Sequence, residues 1–199
     1  MLHRIVLLLA LLSAARSAEA QGVLKLATFN IQHGRGADGV LDLKRTADVV
    51  RGADVIAFQE VDVRFRDRSG KVDEAAWLGK ELGGNAAFGP NLVDADGGAY
   101  GTALVTRFPI REHVNHPLPR AVGREGAEPR GLLECRLDVD GRPLRVYVTH
   151  LAHDSAQDRR LQVDRIREIL HDCPDPWILM GDLNFGPDSP DYRRLTGDP

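Results

Sequence analysis

Four short apolar, β-prone runs in this chain end in side chains able to bind metals, phosphates or protons. They close at Thr28-Phe-Asn-Ile31, Phe58-Gln-Glu-Val61, Val148-Thr-His-Leu151 and Met180-Gly-Asp-Leu-Asn-Phe185. A buried strand holds its backbone in place and its last residues meet solvent, so each end is a fixed mount for an amide, carboxylate or imidazole. Between the runs the apolar spacing turns helical, at Leu43, Ala47 and Val50, over residues 72–82, and most clearly over residues 154–170. The last helix is expected to turn Leu161, Ile166, Ile169 and Leu170 inward. Strand, helix and strand in alternation predict an α/β fold. Residues 99–106 predict a further strand, and residues 132–139 and 143–149, split by Asp140-Gly141-Arg142, predict an antiparallel hairpin.

With 199 residues, 43% hydrophobic and 28% charged, the chain can bury one sizeable core, and collagen-like, coiled-coil and largely disordered architectures are excluded. Its first residues carry an early Arg4, an apolar block from Ile5 to Leu12 and the small-x-small ending Ala18-Glu19-Ala20. That is the pattern of a cleavable signal peptide over residues 1–20, too short for a membrane span, and it predicts a secreted or periplasmic protein whose domain occupies residues 21–199. The formal net charge of −3 leaves no bulk field to attract polyanions, so any phosphate recognition has to be local. Cations are mostly arginine, which binds phosphate in a planar, bidentate manner. Cys135 lies in a strand-like stretch and reads as a buried thiol rather than half of a disulfide with Cys173.

The donors at the four strand ends are hard oxygens with one imidazole, a set suited to Mg²⁺, Mn²⁺ or Ca²⁺ and not to a thiolate zinc site. In this order the stretches 27–34, 54–62, 100–110, 148–151 with 157–162, and 179–185 resemble the endonuclease/exonuclease/phosphatase family of divalent-metal phosphoesterases. The resemblance covers almost the whole chain after residue 20. It implies a four-layer α/β sandwich, two packed mixed β-sheets flanked by helices.

The same resemblance implies that Asn30 and Glu60 bind the metal, Mg²⁺ with Mn²⁺ or Ca²⁺ as substitutes. Asp182 would orient or deprotonate the attacking water, Asn184 would hold the phosphate or that water, and His150 would stand beside the scissile phosphate. Arg130, in Glu128-Pro-Arg-Gly131, is a candidate phosphate contact, and Gln59 and Tyr100 are candidate supports. The remaining histidines, His33, His113, His116, His153 and His171, are expected to be solvated or structural, and the arginines at 64, 66 and 68 to form a solvated loop. Family members continue into strands that end in a Ser-Asp-His segment, which these residues do not contain. The expectation is therefore a chain lacking its C-terminal strands, cut from a longer product. The activity expected is hydrolysis of a phosphodiester in a nucleic acid, a phospholipid headgroup or a small molecule, with no protein partner implied. The alternative is a phosphate- and metal-binding protein with impaired or absent turnover.

Overall fold

The computed structural model describes residues 23–197, and the segment read as a signal peptide lies outside them. Eight strands form two four-stranded sheets. The first holds β1 (Leu26–Asn30), β2 (Val55–Val63), β3 (Asn85–Val93) and β4 (Ala99–Thr106) in the order β1-β2-β4-β3. The second holds β5 (Ile110–Leu118), β6 (Arg130–Val139), β7 (Arg142–His150) and β8 (Trp177–Asp182) in chain order. Each sheet is mixed: β1 runs parallel to β2 and β7 parallel to β8, while the other neighbours are antiparallel. The expected hairpin is present as β6 and β7.

Period-two alternation assigns each strand's residues to two different cores. Val55 and Ala57 face the second sheet, where they meet Leu133, Cys135, Val146 and Val148. Their neighbours Ile56 and Phe58 face outward under α1 (Leu43–Val50) and α2 (Glu74–Glu81), packing with Ala47, Val50, Ala75 and Leu78. On the far side Leu132 and Tyr147 pack beneath Val163, Ile166 and Leu170 of α3 (Ala156–His171). Both faces of the central strands are thus covered, which makes their sequences near-continuously apolar. The layers run helix, sheet, sheet, helix, as a four-layer sandwich requires. Both cysteines are free thiols, with Cys135 fully buried and its thiol pushed up to about 12 by burial.

Three elements were not signalled by apolar pattern. Strands β3 and β5 each lie at one edge of their sheet, as β1 and β8 lie at the other, so β3 tolerates Pro90 beside a bulge and β5 carries an exposed, polar run. The short helix α4 (Pro190–Thr196) is set by Ser189, whose hydroxyl accepts from the Tyr192 amide at 3.0 Å, and by Pro190 in the first turn.

The inner face of α3 also differs from expectation. Leu161 and Ile169 are only half-buried, whereas Asp158 and Gln162 are buried with Val163, Ile166 and Leu170. These polar residues face inward because they satisfy loop backbone. The Asp158 carboxylate accepts from the Ala121 amide at 2.8 Å, and Gln162 Oε1 accepts from the Ala152 amide at 3.0 Å, just beyond β7.

Candidate active site

Parallel pairing places the carboxyl ends of β1 and β2, and of β7 and β8, at the same end of the sandwich. Asn30 is the last residue of β1, and the register sets His150 opposite Asp182 as the last residues of β7 and β8. Glu60 reaches this end through a bulge: pairing with β4 shifts between Gln59 and Val61, and Glu60 adopts the left-handed φ of +58°. Val61 accordingly returns to the helix-covered face that Phe58 occupies, and Glu60 is freed from the alternation. A non-glycine residue at positive φ is strained, and such strain concentrates where a side chain must be aimed.

The aimed groups meet. Asn30 Nδ2 donates to Glu60 Oε1 at 2.8 Å and to Asp182 Oδ2 at 3.1 Å, and His150 Nε2 lies 3.6 Å from the same Asp182 oxygen. Asn184, also at positive φ, donates from its backbone amide to Asp182 Oδ1 at 3.2 Å and from its side chain to the Leu151 carbonyl at 3.0 Å. That Asx turn locks the Asp182 carboxylate to the exit of β7. These five residues line one cavity of about 430 Å³.

Gly181 makes the approach possible. A Cβ there would sit 2.0 Å from the Thr149 carbonyl oxygen, and its φ of +147° disfavours any side chain. Gly181→Ala is expected to cost about 2–3 kcal/mol of stability, measured by chemical denaturation, because rigid backbone would have to move. Wild-type stability in that variant would show that β7 and β8 can separate freely.

Arg130 opens β6 and is buried against the cavity. Its Nη1 pairs with Glu128 Oε1 at 2.8 Å and its Nη2 lies 3.3 Å from His153 Nδ1, while its buried Nε has no partner in the protein. Burial, reinforced by the Arg130 charge and only partly opposed by Asp182, lowers the His150 pKa to about 4. The imidazole is therefore neutral at neutral pH. Tyr100 lines the cavity, and burial, with Glu128 and Glu60 nearby, raises its hydroxyl pKa. Gln59 does not line it; the side chain lies beneath, buried against Thr28, to which Nε2 donates at 3.2 Å.

Other residues of the cavity wall are not signalled directly by the sequence, Leu92 among them. Arg66 and Arg68, expected in a solvated loop, stand in the wall with Phe65, and His153 joins through Arg130. Asp62, fully buried, pins this wall by accepting from Arg68 Nε at 2.9 Å, Arg68 Nη2 at 2.8 Å and Ser69 Oγ at 2.9 Å. The available signal was Phe65 between the arginines, an apolar anchor inside a charged run.

Among the described residues, no three His, Cys, Asp or Glu side chains are clustered to hold a metal ion. The Glu60 carboxylate fits a hard divalent cation such as Mg²⁺, which takes one or two carboxylates and keeps several waters. Asn30 turns its Nδ2 toward the carboxylates while its Oδ1 accepts from the Gln32 amide at 3.2 Å, so its oxygen would reach a cation only with the side-chain amide reversed. The Glu60 and Asp182 carboxylates both accept from the single Asn30 amide nitrogen, which holds them at the same end of the sandwich.

The chain is 29% identical over 188 residues to the uncharacterized protein YbhP of Escherichia coli, an alignment covering 88% of this chain and 70% of YbhP. It is 22% identical over 117 residues to phospholipase C of Staphylococcus aureus, covering 53% of this chain and 34% of that enzyme. The crystal structure of an endonuclease/exonuclease/phosphatase from Beutenbergia cavernae superposes with a TM-score of 0.72 at 29% identity, over 85% of this chain. This chain spans half the length of that structure. The family model of the endonuclease/exonuclease/phosphatase family matches residues 27–199, from the strand that delivers Asn30 through the one that delivers Asp182. With two mixed sheets packed face to face and these strand ends converging, the chain belongs to the endonuclease/exonuclease/phosphatase family, whose members hydrolyse phosphoester bonds.

Proposed function

We propose that the chain is an exported, Mg²⁺-dependent hydrolase of phosphodiester bonds. The observation that carries this reading is the convergence of Glu60, Asp182 and His150 around Asn30, from four different strands. Glu60 and Asn30 would hold the cation. When bound, it would neutralise charge on the phosphoryl oxygens and ease departure of the alkoxide.

The chain's own groups divide the remaining work. Asp182 is held at both oxygens, one by the Asn30 side chain and one by the Asn184 amide, so it can orient a water and accept its proton. His150, kept neutral by burial, can donate one N–H to a phosphoryl oxygen without adding a charge of its own. Arg130 would direct its guanidinium charge, and Asn184 its side chain, at the phosphate. Tyr100 walls the cavity, and Gln59 ties β2 to β1 beneath Glu60. A diester is the substrate class proposed, and the phospholipase C relative is consistent with that choice. Export rests on the basic, apolar and small-residue pattern of residues 1–20.

The test is release of 4-nitrophenol from bis(4-nitrophenyl) phosphate by the purified chain. EDTA is expected to reduce the rate to background and Mg²⁺ to restore it, and Asp182→Asn to lower it at least about 100-fold. Undiminished hydrolysis in EDTA would refute the proposal, and Mg²⁺ or phosphate binding with no turnover would favour the binding-protein alternative.

A further inference from the structure

One wall of the cavity is built from a loop that simple solvation does not explain. Between β2 and α2 the chain turns through left-handed, non-glycine conformations at Arg64 and Arg66, with φ of +54° and +49°. It is fastened at several points: the Arg64 amide donates to the Val72 carbonyl at 2.8 Å, the Arg66 amide to Asp94 Oδ2 at 3.3 Å, and the buried Asp62 binds Arg68 and Ser69. Phe65, 2% exposed, is the plug of the loop and stacks on Tyr100 with ring centroids 5.9 Å apart. On that aromatic floor lie two guanidinium groups. Arg66 sits 4.7 Å from the Phe65 centroid, and Arg68 5.3 Å from Phe65 and 5.2 Å from Tyr100.

The cavity's three arginines differ in how they are neutralised. Arg130 is paired with Glu128 and Arg68 with Asp62, but Arg66 has no carboxylate within salt-bridge distance among the described residues. Its side chain is exposed into the same 430 Å³ cavity that Asp182 and His150 line. An unpaired guanidinium on a backbone held in place, lining a cavity of this size, is a receptor for an anionic group. The aromatic faces that could cradle a quaternary ammonium are already covered by cations, which opposes a choline-type headgroup.

We infer that Arg66, supported by Arg68 on the Phe65–Tyr100 floor, is a specificity site for a second phosphate, so that the preferred substrate is a small phosphoester carrying one phosphate at Asp182 and His150 and another at Arg66. This rests on the proposed function for the position of the first phosphate.

The experiment compares equilibrium binding of thymidine 3′,5′-bisphosphate and thymidine 5′-monophosphate to the full chain by calorimetry; the base and sugar are common to both. The wild-type chain is expected to bind the bisphosphate about tenfold tighter, with a margin that narrows as salt is raised. Arg66→Gln should remove the margin and leave monophosphate affinity unchanged, while Arg66→Lys keeps part of it. Because Arg66 is exposed and its side chain rests only on the Phe65 ring, the folded state should tolerate both substitutions. Equal wild-type affinities, failure to bind either ligand, or a margin that survives Arg66→Gln each overturn the inference. A retained margin in a chain that hydrolyses no diester supports the second-phosphate site and refutes the phosphodiesterase reading instead.

Discussion

Replacing Glu60 by alanine or by glycine is expected to lower diester hydrolysis at least about 10³-fold, a loss of roughly 4 kcal/mol of transition-state stabilisation. The two variants should nevertheless differ in stability, with glycine the more stable by about 1 kcal/mol. Both substitutions remove the carboxylate that accepts from Asn30 at 2.8 Å, the one direct carboxylate ligand in the proposed metal site, so activity falls alike. Only glycine releases the strain of a φ of +58° at a bulge, because alanine retains the Cβ that makes this conformation costly. Urea denaturation of the pair measures the backbone term free of the lost hydrogen bond, since both variants lack it. Activity within tenfold of wild type in Glu60→Ala would remove Glu60 from the site. Equal midpoints for the two variants would show that the bulge is unstrained.

The second large effect is on stability and depends on pH. Glu74 begins α2 yet is 1% exposed; burial pushes its carboxyl up to about 8, although the Asp62 amide donates to it at 2.8 Å. The folded state therefore holds this proton more tightly than the unfolded chain, in which the group titrates near 4.5. Stability from this group is complete below pH 4.5, declines as pH rises toward 8 and is flat beyond it. Across that window the loss should reach several kcal/mol, on the order of 3–5 from the size of the shift. Glu74→Gln keeps an oxygen to accept from the Asp62 amide and has no proton to lose, so it should flatten this part of the curve and stabilise the chain most at pH 8. Denaturation midpoints that change with pH in the same way for Glu74→Gln and wild type would refute it.

The strands that build the interior were legible because burial on both faces leaves an apolar run that no surface element imitates: residues 55–58, 132–133 and 146–148 are such runs. Strands β3 and β5 were not: both are edge strands, like β1 and β8, but the freedom of an unpaired edge is used in β3 for Pro90 and in β5 for a polar run, which removes the apolar pattern that β1 and β8 keep. On α3 the periodicity was correct, but Asp158 and Gln162 face inward, because a buried loop amide needs an acceptor more than the core needs another methyl group there.

The candidate site divides in the same way. Asn30, Glu60, His150, Asp182 and Asn184 stand out in sequence because a reactive side chain directly after an apolar run is a local signal, carried by residues adjacent in the chain. Their meeting depends on sheet register and on one bulge, which bring Asn30 and Asp182 within 3.1 Å across 152 positions. Arg66 and Arg68 carry no local signal at all, for a charged loop has the same composition whether it faces solvent or a cavity. Only Phe65 buried against Tyr100, and Asp62 buried beneath Arg68, turn that loop inward, and these are packing and desolvation effects between segments that composition and periodicity do not encode.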